Sequence, residues 1–205
     1  MFISFEGIDF CGKSTQIEIL KDYLVEKNKK IEILREPGGT ELSEKIRFML
    51  LDNKNSNMIA ETELFLFSAS RAQLVRKKIR PYLEKGIYVI SDRFHDSSTA
   101  YQGYGRGIEI ELVHRVHSLA IGDTIPDVTF FIDIPVGIAN ERKKKKSKGK
   151  LDRIELADIE FYNRVRNGYL EIAAQEDRFK VIDGTQTIEN INNQIISEIE
   201  LVDNR

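Results

Sequence analysis

Near its start the chain runs from a β-rich segment, Phe2 to Phe5, into GIDFCGKS, Gly7 to Ser14, and then into an amphipathic stretch, Lys13 to Lys27. Few backbones satisfy that order. The pattern GxxxxGK(S/T) between a strand and a helix requires glycines that let the chain curl, so that successive N–H groups and the positive end of the helix dipole surround an anion. Lys13 adds a full charge whose flexible ammonium can follow β and γ oxygens, and the Ser14 hydroxyl is suited to ligate Mg²⁺. The residues expected around nucleotide phosphates are Gly7, Ile8, Asp9, Phe10, Cys11, Gly12, Lys13, Ser14 and Thr15.

A carboxylate inside such a loop is unfavourable unless something compensates it. Asp9 therefore either accepts from a sugar hydroxyl or supports Mg²⁺ through water, or it is a solvated turn aspartate. Cys11 occupies a position that needs only a small side chain, has no adjacent histidine to activate it, and is expected to do no thiol chemistry.

Further β-rich runs recur at Ile31 to Leu34, Ile87 to Ile90, Val128 to Ile132 and Phe179 to Ile182, separated by stretches such as Glu155 to Ala174 with apolar residues at helical spacing. Strand and helix alternate to the C-terminus, which predicts a five-stranded parallel α/β sandwich. With 205 residues and 41% hydrophobic composition, the expectation is one domain spanning 1–205. A formal net charge of −2 argues against a general nucleic-acid binder. A single cysteine forms no internal disulfide, no apolar run is long enough to span a membrane, and the N-terminus lacks a secretory pattern, so a cytoplasmic protein is expected. One segment departs: Glu141 to Lys150 reads ERKKKKSKGK, with seven basic residues, and is expected to be a mobile excursion rather than core.

In a sheet of this kind ligands sit beyond the carboxyl ends of the strands. REPGGT, Arg35 to Thr40, follows the second run, and SDRFHDSSTAYQGYGRG, Ser91 to Gly107, follows the third. Asp92 beside Arg93 puts a carboxylate that can hold Mg²⁺ through water next to a guanidinium that can grip phosphate, although a structural Asp–Arg pair has the same signature.

Together GIDFCGKST, REPGGT, LFSASR, DRFHDSSTAYQGYGRGI and LDRIE, in this order and spacing, resemble the bacterial thymidylate kinase family over nearly the whole chain. The resemblance implies a P-loop fold of the nucleoside monophosphate kinase kind, with ATP and dTMP as substrates, Mg²⁺ as cofactor and a homodimer. It implies an acceptor site of Asp9, Glu36, Pro37, Arg47, Phe67, Arg71, Arg93, Ser98, Tyr101 and Gln102. Phe67 and Arg71, four apart, share a helix face, so the ring would stack on thymine while the guanidinium donates to its O4. Arg47 and Arg93 would hold the dTMP phosphate, Tyr101 would pack against C2′ and disfavour ribose, and Gln102 would pair with the base edge.

The same resemblance makes the basic segment and LDRIE, 141–153, a lid that closes over ATP and excludes water. Some relatives carry an arginine within the loop, where this chain has Phe10. The charge-stabilising arginine is therefore expected in the lid, Arg153 first and Arg142 second. His95, His114 and His117 are assigned no catalysis. Two other readings share parts of the pattern. A deoxynucleoside kinase has no need of a cation pair for an acceptor phosphate, and a GTP-dependent switch protein needs an NKxD sequence that is missing here.

Overall fold

The computed structural model describes residues 1–146 and 151–203. The five expected strands form, each within a residue or two of its expected limits: β1 (Phe2–Glu6), β2 (Ile31–Arg35), β3 (Tyr88–Asp92), β4 (Val128–Asp133) and β5 (Phe179–Asp183). They pair in parallel in the order β2-β3-β1-β4-β5. The central strands are buried along nearly their full length, as a sheet covered on both faces requires.

The β1-to-β2 connection travels one way along the sheet and the others travel back, so right-handed crossovers put them on opposite faces. On one face α1 (Lys13–Glu26) packs against α9 (Ile188–Asp203). On the other, α2 (Glu41–Leu51) packs against α3 (Ala60–Leu74), and α3 against α6 (Ile110–Ile121). Between α3 and β3, a π-helical turn leads into α4 (Arg80–Glu84). After β3, α5 (His95–Ser98) runs directly into a π-helical segment, Thr99–Gly105, that packs on α8 (Ile159–Gln175). π-Helical turns leave wide backbone rings and concentrate at functional sites; this one carries Tyr101 and Gln102.

Two expectations are corrected. The stretch from Glu155 does not begin as helix: Asp158 accepts from the Phe161 backbone N–H at 2.7 Å and caps α8, so helical geometry starts at Ile159. The basic segment is not an excursion from its start, because Glu141 to Lys146 continue α7 (Val136–Lys146). Residues 147–150 of the expected lid lie outside the described residues. Among the described residues no helix is long and apolar enough to cross a membrane.

Candidate active site

The loop after β1 has the geometry its glycines forecast. Gly7 sits at φ +140°, and a Cβ there would lie 2.7 Å from the Ile132 carbonyl oxygen, so only glycine fits beside β4. Gly12, at φ +111°, turns the chain into α1. Phe10 adopts φ +65°, an uncommon conformation for a bulky residue and a place where the loop stores strain. Lys13 is nearly buried, and its Nζ donates to the carbonyls of Gly7 at 3.0 Å and Ile8 at 3.2 Å and to Cys11 Sγ at 3.6 Å. The ammonium is thus held inside the curl of the loop before any nucleotide arrives.

A cavity of about 620 Å³ opens over this loop at the carboxyl ends of the strands. Its wall takes in residues Asp9 through Thr15 and, from β2, α2, α3, β3 and the segments after them, Glu36, Pro37, Arg47, Phe67, Asp92, Arg93, Tyr101 and Gln102. Most of the expected site residues are therefore brought together. Arg47, from α2, donates to the Pro37 carbonyl at 2.9 Å, and burial together with the Arg35 charge lowers its pKa.

The compensation that Asp9 needs comes from across the sheet. Arg93 Nη2 donates to its Oδ1 at 2.7 Å, and the Tyr162 and Tyr101 hydroxyls donate to Oδ2 at 3.2 and 3.4 Å. Burial pushes the carboxyl up, but Arg93 and then Lys13 outweigh it and hold the pKa below the usual aspartate range. Arg93 itself stands at φ +72°. The peptide beyond it is fixed from both ends, by Ser91 Oγ donating to the Arg93 carbonyl at 2.6 Å and by Phe94 N–H donating to Glu6 Oε1 at 2.7 Å.

Glu6, at the end of β1, also accepts from Ser97 Oγ at 2.5 Å and from the Tyr169 hydroxyl at 2.8 Å, and burial, with the Asp96 charge adding, raises its pKa. Sequence reasoning missed Glu6, Tyr162 and Tyr169. The tyrosines carry no local motif and arrive from α8, Tyr162 lying 153 residues from Asp9 and Tyr169 163 residues from Glu6.

Five expected site residues do not line the cavity. Arg71 and Ser98 lie outside the cavity wall: Arg71 is buried beneath it, donating through Nε to Glu36 Oε2 at 2.6 Å and through Nη2 to Phe94 O and Ser98 Oγ, both at 3.1 Å. Ser98 is an anchor for that guanidinium, and Ser97 takes the wall position. Arg71 Nη1 remains without a hydrogen-bond partner among the described residues. Gly7 and Ile8 sit under the wall and serve Lys13 through their carbonyls.

Arg153 is also off the wall. Its Nε donates to Leu50 O at 2.8 Å, its backbone N–H to Leu51 O at 3.2 Å, and its Nη2 pairs with Glu63 at 2.6 Å. The open carbonyls at the C-terminal end of α2 and a buried carboxylate thus take the guanidinium away from the phosphate loop. Arg142, the second choice, lies there instead: it lines the cavity and donates to the carbonyls of Phe10 at 3.3 Å, Cys11 at 3.1 Å and Gly184 at 3.1 Å. His95, on α5, and His117, on α6, are buried, and burial pushes both well below the ordinary histidine range, His95 to about 4.

Glu36 makes a pH prediction possible. Burial, only partly offset by Arg71, raises its pKa from 4.5 to about 7. Between those values the folded protein keeps a proton that the unfolded chain has released, so this group's contribution to stability is full at the acid end and is lost as pH rises through 7. Glutamine does not titrate. The Tm of Glu36→Gln minus that of the parent protein is therefore expected to grow from about pH 5 to about pH 7.5, and a flat difference in thermal scans would contradict the assignment.

Residues 5–195 match the thymidylate kinase family. The chain belongs to the thymidylate kinase family. Thymidylate kinase of Thermosipho africanus is 50% identical over 200 residues, covering 98% of both chains, and that of Kosmotoga olearia is 48% identical, covering 98% of this chain and 96% of the other. The crystal structure of thymidylate kinase from Ehrlichia chaffeensis superposes with a TM-score of 0.79 at 38% identity, covering 98% of each chain. The family's P-loop fold is the one described above.

Proposed function

We propose that this protein transfers the γ-phosphoryl group of ATP to the phosphate of dTMP, giving dTDP and ADP for dTTP biosynthesis, as a nucleoside monophosphate kinase working as one domain over 1–205. One observation carries the reading: Arg47 and Arg93 line the same cavity as Lys13, so cations for an acceptor phosphate stand beside the loop that takes the donor phosphates. Two anions that repel each other need that arrangement, and a kinase of thymidine would not.

In this reading Arg47 and Arg93 orient the acceptor phosphate, whose own oxygen attacks, so no covalent intermediate is required. Lys13 and Arg142 stabilise the charge that spreads over the moving phosphoryl group. Arg142 bridges the loop and the turn after β5, where Gly184 and Gln186 also line the cavity and make an adenine contact. Phe67 stacks on the base, Arg71 reads its O4 and Tyr101 faces the sugar.

The donor set fits Mg²⁺: Ser14 and Asp92 both line the cavity with hard oxygens, and the Asp92 carboxylate has no hydrogen-bond partner among the described residues. Asp9, already bonded to Arg93, is the poorer ligand. Held by Ser14 and Asp92, the ion would supply positive charge against the negative charge that develops on the phosphates. Lid lysines then close over the triphosphate and keep water out.

We place the enzyme in the cytoplasm as a homodimer. Supporting the dimer, Phe48 on α2, Phe65 on α3 and Leu119 on α6 are exposed on three helices packed side by side. Sedimentation is expected to give twice the chain mass, and Phe48→Glu with Phe65→Glu to give a monomer; a monomeric parent protein would contradict the placement. The activity itself is tested with ATP, Mg²⁺ and a panel of dTMP, dUMP, dCMP, dGMP and thymidine. Conversion of dTMP to its diphosphate ahead of all others is expected, whereas preferential phosphorylation of thymidine would replace this reading with a nucleoside kinase.

A further inference from the structure

Glu63 stands in the first turn of α3, one helical turn before Phe67, with a side chain 1% exposed. A carboxylate so placed survives only with a full set of donors. It has three, Gln102 Nε2 at 2.9 Å and Arg106 Nε and Nη2 at 3.2 and 3.3 Å, and a second charge beside it in Arg153, whose Nη2 lies 2.6 Å away as an ion pair. Burial alone would raise its pKa, but the hydrogen bond and charge of Arg106, then Gln102 and Arg153, bring it below the usual glutamate range. At neutral pH it is an acceptor and nothing else.

That fact fixes the neighbouring amide. Gln102 lines the cavity, and its NH₂ end is committed to Glu63. Turning the amide over would set two acceptor oxygens against each other at hydrogen-bond distance. The carbonyl oxygen, which has no hydrogen-bond partner among the described residues, is therefore the end the cavity receives. Thymine and uracil carry a hydrogen on N3 and can donate to it, whereas cytosine presents a lone pair there.

We infer that Glu63 is a positioning residue that sets the hydrogen-bonding sense of the base pocket through Gln102, making it accept pyrimidines with an N3–H and reject those without one. The inference rests on the reading of this cavity as the thymine site. Arg153 pairs with the same carboxylate, so it and Gln102 are anchored at one point.

The test measures calorimetric Kd values for dTMP and dCMP, with kcat for dTMP, in the parent protein and in Glu63→Gln, Glu63→Asp, Gln102→Leu and Glu63→Gln combined with Gln102→Leu. Glutamine at 63 can donate or accept, so Gln102 becomes free to present either end. Glu63→Gln is expected to shrink the dTMP-over-dCMP preference by tenfold or more, on the order of one mispaired polar group, while kcat for dTMP stays within about threefold. Glu63→Asp, still an acceptor only, is expected to hold the preference within about threefold and guards against loss of folding in the glutamine variant. On a Gln102→Leu background, Glu63→Gln is expected to change the preference no further.

An unchanged preference in Glu63→Gln beside a lowered one in Gln102→Leu overturns the inference and leaves the base site intact. An equal preference in all variants denies that Gln102 reads the base and overturns it as well. A parent protein that binds neither nucleotide in competition with the other sinks the functional reading itself.

Discussion

Lys13→Ala is expected to lower kcat with ATP and dTMP by roughly 10²–10³-fold, about 3–4 kcal/mol of transition-state stabilisation. The ammonium is held by the Gly7 and Ile8 carbonyls inside the curl of the loop, so its charge is in place before the reaction and none of that orientation must be achieved during it. In the proposed function the acceptor phosphate is held by other groups, Arg47 and Arg93. The KM for dTMP is therefore expected to move by no more than about threefold, which separates loss of transition-state charge from loss of acceptor binding. Steady-state kinetics at saturating ATP decide it: a rise in the dTMP KM with unchanged kcat would place Lys13 on the acceptor side.

Arg142→Ala is expected to cost kcat on the order of 10²-fold or more, and Arg153→Ala less than about tenfold. The contrast follows from where the two guanidinium groups end. Arg142 reaches the Phe10 and Cys11 carbonyls in the phosphate loop, while Arg153 is bound to Leu50 O and Glu63. Loss of Arg153 instead weakens folding, by about 1–3 kcal/mol, because Glu63 keeps Arg106 and Gln102 but loses one buried partner. Kinetics and thermal unfolding of the two variants check this together, and the reverse pattern would return the catalytic role to Arg153.

The fold was legible because its signals are local. A parallel strand buried on both faces is a short apolar run, and β1, β3 and β4 read that way. The loop motif needs its glycines at fixed spacing and its lysine at the mouth of α1, so Lys13 could be placed from the chain alone. That Arg47 and Phe67 would come to one cavity was legible only from a joint pattern, since either taken singly is an ordinary helix residue.

What escaped has a common cause: side-chain direction and distant partners. Arg142 and Arg153 are equivalent as letters, and only the open carbonyls at the end of α2 and the carboxylate of Glu63 decide which turns toward the phosphates. Glu6 reads as the last residue of a strand until Phe94, Ser97 and Tyr169 converge on it from β3, α5 and α8. Tyr162 looks like core packing in α8, and its bond to Asp9 appears only when the sheet brings the loop beneath it. The start of α8 was readable in retrospect, because Asp158 before an apolar run is an N-cap signal.

A crystal structure of the protein with ADP and dTMP bound tests the central claim most directly. The account predicts the ADP phosphates wrapped by the loop against Lys13 and the dTMP phosphate between Arg47 and Arg93, facing the open end of the ADP chain. A thymidine phosphate bound outside this cavity, or one pointing away from the loop, would contradict it.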